Sequence, residues 1–595
     1  MSPLGPNPNQ NDDKLSWFVI KVTLMASRGG CLFGYDMGAI AGALPQLKAY
    51  FDLSDSQAEW VVSILYLGGG LGATVGGTCC DVVGRQRSIV ITDVIFMVGA
   101  AMLFFSSTLT EVYFGRLVVG FAIAVSGVAD VSYLHEIAPP NWRGAIVSVN
   151  EACISLGFML AFLAGWVYSG SEDNNEEWRY IFGWAGVVAF VQLLGMWHLP
   201  ESPTWLLEKG RIEESNAAWE RIHGRPRENE SDVSSPEILV GIRRHEDPLV
   251  VEDDDHQGEE QNPTLSTTNA TQNQDRIYDR ISSALVSSNI ETEIENQCPS
   301  TGNKFMSKLT DASRILLRYR QQVYIALFLS VTQQLCGQAS VLNYAPIIFA
   351  QVSDEDQEVD QNVVGSSTML IGLVKFVVTV LVIWKIEYLG RRFLLLLGMV
   401  TIAIGQLCLI VAFGGYTNPD AWSPTASGFQ LALPGVMLVV CGYSMSFGPL
   451  TWLLTSELFP TEIRGRALGT STIVTYLSAA LVTNTFLSAQ NLLGPSKVFA
   501  LYFIVTAMGL VFSYLAIPDT GSKSVEEIES AIRQMWWWRF DSVLLESIEV
   551  PGPSRGDVDE DRSDSSAYDT FQTSGRSGTQ EASSGRHGMS LPVLT

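Results

Sequence analysis

The chain has 595 residues, 47% of them hydrophobic and 17% charged, with a mean hydropathy of +0.19. Its formal charge is −25, the opposite of the basic footprint that a nucleic-acid partner requires. Residues 228–300 carry a net −13 and residues 540–595 a net −6; the remainder is nearly neutral and mostly apolar, which excludes a single soluble domain.

In chain order, a window of ~20 apolar residues predicts spanning helices at 17–46, 57–79, 88–108, 111–133, 145–168 and 179–199. After a long polar interval six more follow at 322–350, 362–386, 393–414, 432–456, 466–489 and 497–517. The expected fold class is an all-α membrane protein: twelve transmembrane helices in two six-helix bundles, 17–199 and 322–517, around a long middle loop, 200–321. The 52 Gly suit close packing of such helices. Residues 1–16 and 518–595 are tails. The first span begins too late and runs too long for a cleaved signal peptide. Within the loop, 202–224 and 303–320 have amphipathic helical patterns, whereas 228–300 is too polar to offset its chain entropy and is expected to be disordered. The tail after about 550 is similar, while Trp536, Trp537 and Trp538 suit the membrane interface.

Basic residues set the orientation. Arg85, Arg87, Arg143, Lys209, Arg211, Lys385, Arg391, Arg392, Arg464 and Arg466 lie in loops on one side, and acidic loops (Glu172, Asp173, Glu176, Glu177 and 354–360) on the other. Both termini and the middle loop are therefore expected in the cytoplasm, where the Asn269 sequon goes unused.

The halves repeat. "CDVVGRQR" (80–87) recurs as "IEYLGRRF" (386–393), and "HEIAPPNWRGA" (135–145) as "SELFPTEIRGRA" (456–467). Parallel repeats of this kind place a solute site near the bilayer midplane, between the bundles. The eight Cys and six His show no zinc or disulfide spacing. No metal, cofactor or covalent chemistry is indicated, so an enzyme is not expected.

The motifs "FGYDMGAIAGAL", "DVVGR", "GRLVVG", "EIAPPNWRG", "PESPTWLL", "QQLCGQ", "YLGRR", "GPLTW", "SELFPTEIRGRALG" and "IPDTGSKSVEEIE" stand in one order from Phe33 to Ile528. In this the chain resembles the sugar porters of the major facilitator superfamily, similar to proton–sugar symporters and facilitative glucose transporters. The resemblance implies alternating access. It also implies that Asp81 with Arg85, Glu136 with Arg143, Glu387 with Arg391 and Glu457 with Arg464 form a cytoplasmic gate network. Positive-inside anchoring alone explains the Arg residues but not the acid repeated beside each.

Asp36, between Gly34 and Gly38, is an acid inside a membrane helix, a costly placement that points to function. Arg116 is its natural partner, and the resemblance assigns proton coupling to the pair; a structural ion pair is the alternative. Gln333, Gln334 and Trp452 match the family's sugar contacts, the alternative being interhelical hydrogen bonding. Other pocket positions depart from the family: Glu151 stands where Gln is usual, Lys375 and Thr475 where Asn is usual, Asn343 replaces a Tyr and Ala339 an Asn. Glu151 and Lys375 pair across the cavity, bind a charged solute, or take part in coupling; the simultaneous appearance of both signs favours pairing. Asp93 and Asp130 are further intramembrane acids, expected to be structural or near the water interface and not substrate-binding, with Asp130 a candidate to extend the cytoplasmic network around Glu136.

The expected function is transmembrane transport of a hexose, pentose or polyol, coupled to protons. Its partners are the sugar, protons and the lipid bilayer, with no nucleic acid. Rival readings are a carrier of charged or zwitterionic solutes and a sugar sensor. The Ser-rich loop and tail (Ser563, Ser565, Ser566, Ser574, Ser577) suit kinases. The plasma membrane is the default location; "DSVLL" (541–545) keeps a vacuolar or other internal membrane open.

Overall fold

The computed structural model describes residues 17–139, 142–168, 176–224, 319–352, 361–414, 427–520, 523 and 525–534. The patterns at 228–300 and 303–318, the sequon, Trp536–Trp538, the 541–545 string and the tail serines lie outside these residues.

Among the described residues there are nineteen helices and no strand. The first half comprises α1 (Trp17–Ala26), α2 (Arg28–Phe51), α3 (Asp55–Val83), α4 (Arg85–Phe105), α5 (Leu109–Ile137), α6 (Arg143–Val167) and α7 (Trp178–Trp197). The 202–224 stretch forms α8 (Pro203–Glu208) and α9 (Ile212–His223). The second half comprises α10 (Arg320–Leu335), α11 (Gln338–Asn343), α12 (Ala345–Val352), α13 (Gln361–Leu389), α14 (Arg391–Phe413), α15 (Ser427–Met445), α16 (Phe447–Leu458), α17 (Thr461–Leu493) and α18 (Pro495–Ala516), followed by α19 (Val525–Gln534).

Eleven helical stretches among the described residues are long and apolar enough to cross a membrane. The 24 residues of α2 reach roughly 36 Å at 1.5 Å per residue; it is less apolar than those eleven, and with it the spans number twelve. Leu71, Phe105, Trp184, Val411, Leu481 and Val511 are exposed, an arrangement stable only if hydrocarbon covers them.

The spans predicted as single helices at 17–46, 322–350 and 432–456 are interrupted. The first breaks at Ser27, between α1 and α2. The seventh breaks at Cys336–Gly337, where Gly337 has φ +79° and a Cβ would overlap the Tyr502 ring; only glycine fits a left-handed position so crowded. The tenth breaks at Ser446, because Pro449 cannot donate to the carbonyl one turn back. Interrupted helices of this kind expose polar backbone at membrane depth.

Close approach explains much of the glycine. Gly34 and Gly157 bring α2 and α6 so near that a Cβ on either would overlap the opposite carbonyl, of Ile154 or Cys31. Gly398 and Gly442 do the same for α14 and α15, each Cβ direction ending 2.5 Å from the other's carbonyl.

The bundles meet through α3 on α17 and α6 on α13. Asp55, Glu59 and Ser63 recur every four residues and so share one face of α3. Asn491 Nδ2 donates to Asp55 at 2.7 Å, Ser488 N and Oγ donate to Glu59 at 2.7 and 2.6 Å, and Ser63 Oγ donates to Asn484 at 2.9 Å. Farther along the same faces, Gly69 packs on the Tyr476 ring and Gly70 on Leu477. Two turns beyond, Gly77 and Gly469 meet nothing, and Gly144 and Gly465 also border open space. The bundles are shut at the Asp55 end and parted at the Arg85 end.

Candidate solute site and gates

Asp36 and Arg116 come together as the motifs predict. Arg116 Nη1 donates to Asp36 Oδ2 at 3.0 Å, with both side chains 1% exposed. Arg116 Nε also reaches Val61 O at 3.4 Å, and its guanidinium lies over the Phe182 ring. Asp36 Oδ1 is buried without a hydrogen-bond partner. The pair can hold a proton-dependent charge: protonation of Asp36 releases Arg116, and separation of Arg116 favours protonation.

A polar set lies where the bundles face one another. Gln333, on α10 just before the helix break, donates from Nε2 to Tyr443 OH at 2.7 Å, and its buried Oε1 has no partner. Gln334 beside it is buried. Lys375 on α13 is 3% exposed, its ammonium 5.0 Å from the Phe158 ring centroid and 5.5 Å from that of Tyr443. Glu151 on α6 is half-buried, and both it and the Tyr443 ring edge flank Gly448, whose Cβ direction ends 3.4 Å from Glu151 Oε1 and 3.9 Å from Tyr443 Cε1. The two charges interact across this space, yet they do not form one of the ion pairs within 4.0 Å among the described residues. Trp452, one turn past Gly448 on the same face of α16, remains 44% exposed.

Two expected contacts have other uses in this conformation. Asn343 Nδ2 donates to Tyr66 OH across the bundle interface at 2.9 Å. The Thr475 hydroxyl donates to Ser471 O of its own helix at 2.9 Å.

The gate residues are partnered across motifs as well as within them. Arg85 lies 3.4 Å from Asp81, as expected, but its Nε also donates to Glu136 at 2.9 Å. Arg391 lies 3.5 Å from Glu457, whereas Arg464 Nε reaches Phe459 O at 3.4 Å. A loop arginine of one motif thus also takes the acid of the other, because the intervening helices bring the two loops together. The side chains of Arg143 and Glu387 lie outside the described residues. Each of these bridges is internal to one bundle, so both persist while this end is parted.

Sequence reasoning missed four participants. Tyr443 carried no signal beyond an aromatic in an apolar run. Glu201 of "PESP" accepts the Gln86 and Arg87 N–H groups at 2.8 and 3.4 Å, the N-terminus of α4, where a carboxylate is favoured. Ser202 Oγ donates to Glu136 in the same cluster. Glu59 was detectable, since Asp55, Glu59 and Ser63 form a polar stripe at helical spacing.

Twelve spans in two repeated bundles, parted at one end around buried amides, aromatics and charges, define a transporter of the alternating-access class. The family described as "Sugar (and other) transporter" matches residues 22–245 and 258–532, and the chain belongs to that family, the sugar porters of the major facilitator superfamily, and not to an enzyme class. It is 30% identical over 538 residues to D-xylose-proton symporter-like 3, chloroplastic, of Arabidopsis thaliana, covering 87% of this chain and 84% of that protein. It is 26% identical to the galactose-proton symporter of Escherichia coli (strain K12) over 508 residues, 85% of this chain and 93% of the relative. Facilitated glucose transporter member 10 of solute carrier family 2, from Danio rerio, is 27% identical over 559 residues, covering 87% and 93%. In fold it is similar to the inward open conformation of the xylose transporter XylE from E. coli, with TM-score 0.61 and 23% identity over 86% of this chain and 99% of that one.

Proposed function

We propose that the protein carries a monosaccharide across a membrane together with protons, with Asp36 and Arg116 as the coupling pair. The observation that carries this reading is the Asp36–Arg116 ion pair, sealed at 3.0 Å inside one bundle, beside a solute site that opens at one end only. A facilitative carrier has no need of a titratable acid there. Proton symporters among the relatives support the same reading.

The parted end is the cytoplasmic one, since the basic loops gather there, and both termini lie on that side. Gln333, Gln334, Tyr443 and Trp452 bind the sugar through amide and hydroxyl hydrogen bonds and an aromatic face. Glu151 and Lys375 offset one another's charge in the site, and the solute itself is neutral. The Arg85–Glu136 and Arg391–Glu457 bridges fix the shape of each bundle's cytoplasmic end, and the Asp55–Glu59–Ser63 ladder closes the outer end. The plasma membrane is the proposed location, and the Ser-rich tail the proposed kinase target.

A second reading rests on the distance between Glu151 and Lys375. Because no ion pair joins them here, each is free to meet a charged group on a sugar acid or zwitterion. Competition of uptake by a uronate or an amino acid, against neutral hexoses, pentoses and inositol, decides between the two.

A further inference from the structure

The first bundle buries two carboxyls that the transport cycle above leaves unused. Asp93 on α4 and Asp130 on α5 are each 1% exposed. Neither belongs to an ion pair within 4.0 Å among the described residues. Ser126 Oγ donates to Asp130 Oδ2 at 2.9 Å, while Asp130 Oδ1 and both oxygens of Asp93 have no hydrogen-bond partner.

Their surroundings form a site, not merely a burial. Asp93 lines a cavity of about 10 Å³ together with Gly29, Thr92, Phe96 and Ser126, a volume on the scale of a single water molecule. Gly29 of α2 packs on the Asp130 carboxyl so closely that a Cβ there would overlap it. On the other flank, Gly183 and Gly186 of α7 rest against Phe104 and Ala100 of α4. That antiparallel register brings Gln192 level with Asp93, and Gln192 is fully buried with both amide atoms unpartnered.

The charges around the pair are few. The one that acts on Asp93 is Asp130. From α2, Arg28 turns its guanidinium to Met25 Sδ at 3.1 Å and forms no ion pair within 4.0 Å with either acid. Two interacting carboxylates inside a bundle without a countercharge do not both stay ionised.

We propose that Asp93 and Asp130 form a second proton-binding site, a carboxyl pair that carries at least one exchangeable proton and is separate from Asp36. Gly29, which touches Asp130, precedes Asp36 by seven residues on α2, about 10 Å along the axis and toward the parted end. The pair therefore stands between Asp36 and the side where the proton is released, and serves as its stepping stone. That role rests on the proton-coupled reading; the existence of the site does not.

Infrared difference spectroscopy of the purified protein in lipid tests it. In an Asp36→Asn background, the spectrum of the parent minus that of Asp93→Asn/Asp130→Asn contains a protonated-carboxyl C=O band that shifts in D₂O. Asp93→Asn alone, which forfeits no hydrogen bond, reduces the same band and guards against a double variant that fails to fold. With Asp36 intact, Asp93→Asn slows proton-driven sugar uptake while sugar counterflow persists. A difference spectrum without such a band overturns the site. So does loss of the band in the unsubstituted pair when sodium chloride replaces choline chloride at constant pH, which makes it a cation site. If the band is present but Asp36→Asn still accumulates sugar, the coupling reading fails and the proton site stands.

Discussion

Arg116 Nη1 and Asp36 Oδ2 lie 3.0 Å apart with both side chains 1% exposed, which makes them the most fully enclosed ion pair among the described residues. Enclosure has an energetic consequence. Removing one partner of a buried pair leaves an uncompensated charge and costs about 3–5 kcal/mol. Arg116→Leu is therefore expected to lower the thermal unfolding temperature markedly at neutral pH, and Arg116→Leu with Asp36→Asn to recover most of it. Melting curves in detergent check this; equal losses in the single and double variants would contradict it.

Glu151 and Lys375 call for a double-variant cycle. If each offsets the other, Glu151→Gln or Lys375→Asn alone strands a charge and depresses sugar uptake by about tenfold, roughly 1.4 kcal/mol. The double variant regains hexose uptake. Abolition of uptake of every solute in the double variant, where the singles retain some, removes the pairing account and favours a charged substrate.

The Asp55–Glu59–Ser63 ladder joins the two bundles at one end. Hydrogen bonds to charged groups contribute about 1.5–3 kcal/mol, so Ser488→Ala, which deletes one donor to Glu59, shifts the population by roughly tenfold toward the state open at the Asp55 end. Spin labels at Gly144 and Gly465, two positions bordering open space, report it. Their distance distribution moves to shorter values in the variant, and an unchanged distribution would show that the ladder does not govern the equilibrium.

Gly337 is fixed by both conformation and space. A left-handed non-glycine residue costs about 1–2 kcal/mol, and a Cβ there also overlaps the Tyr502 ring. Gly337→Ala is expected to destabilise the protein and displace Gln333 and Gln334. Weaker sugar binding by intrinsic fluorescence, together with a lowered melting temperature, tests both effects.

The spans, their two-fold repetition and the Asp36–Arg116 partnership were legible in the sequence because each follows from local information: apolar length, motif recurrence, and a charge that membrane burial makes conspicuous. Partner choice was less legible. Glu136 is seven residues from Arg143 along the chain, yet its described partner is Arg85, 51 residues away, because the fold of α4 and α5 brings the two loops side by side. The breaks at Ser27, Cys336–Gly337 and Ser446 were hidden by uninterrupted hydropathy, which measures transfer to lipid and not helical geometry. Tyr443 was hidden for a related reason: an aromatic in an apolar run shows its hydroxyl's partner only once Gln333 is in place. Asn343 and Thr475 depended on where the helices turn their faces in this conformation.

The most direct test of the central claim is uptake of labelled glucose by the purified protein in liposomes, with and without an inward proton gradient, for the parent and Asp36→Asn. Xylose and galactose serve as alternative labels. The account predicts accumulation above equilibrium in the parent only when the gradient is present. In Asp36→Asn accumulation is lost while sugar exchange persists. Equal, gradient-independent equilibration by both proteins would contradict it, and would leave Asp36–Arg116 as a structural ion pair in a facilitative carrier.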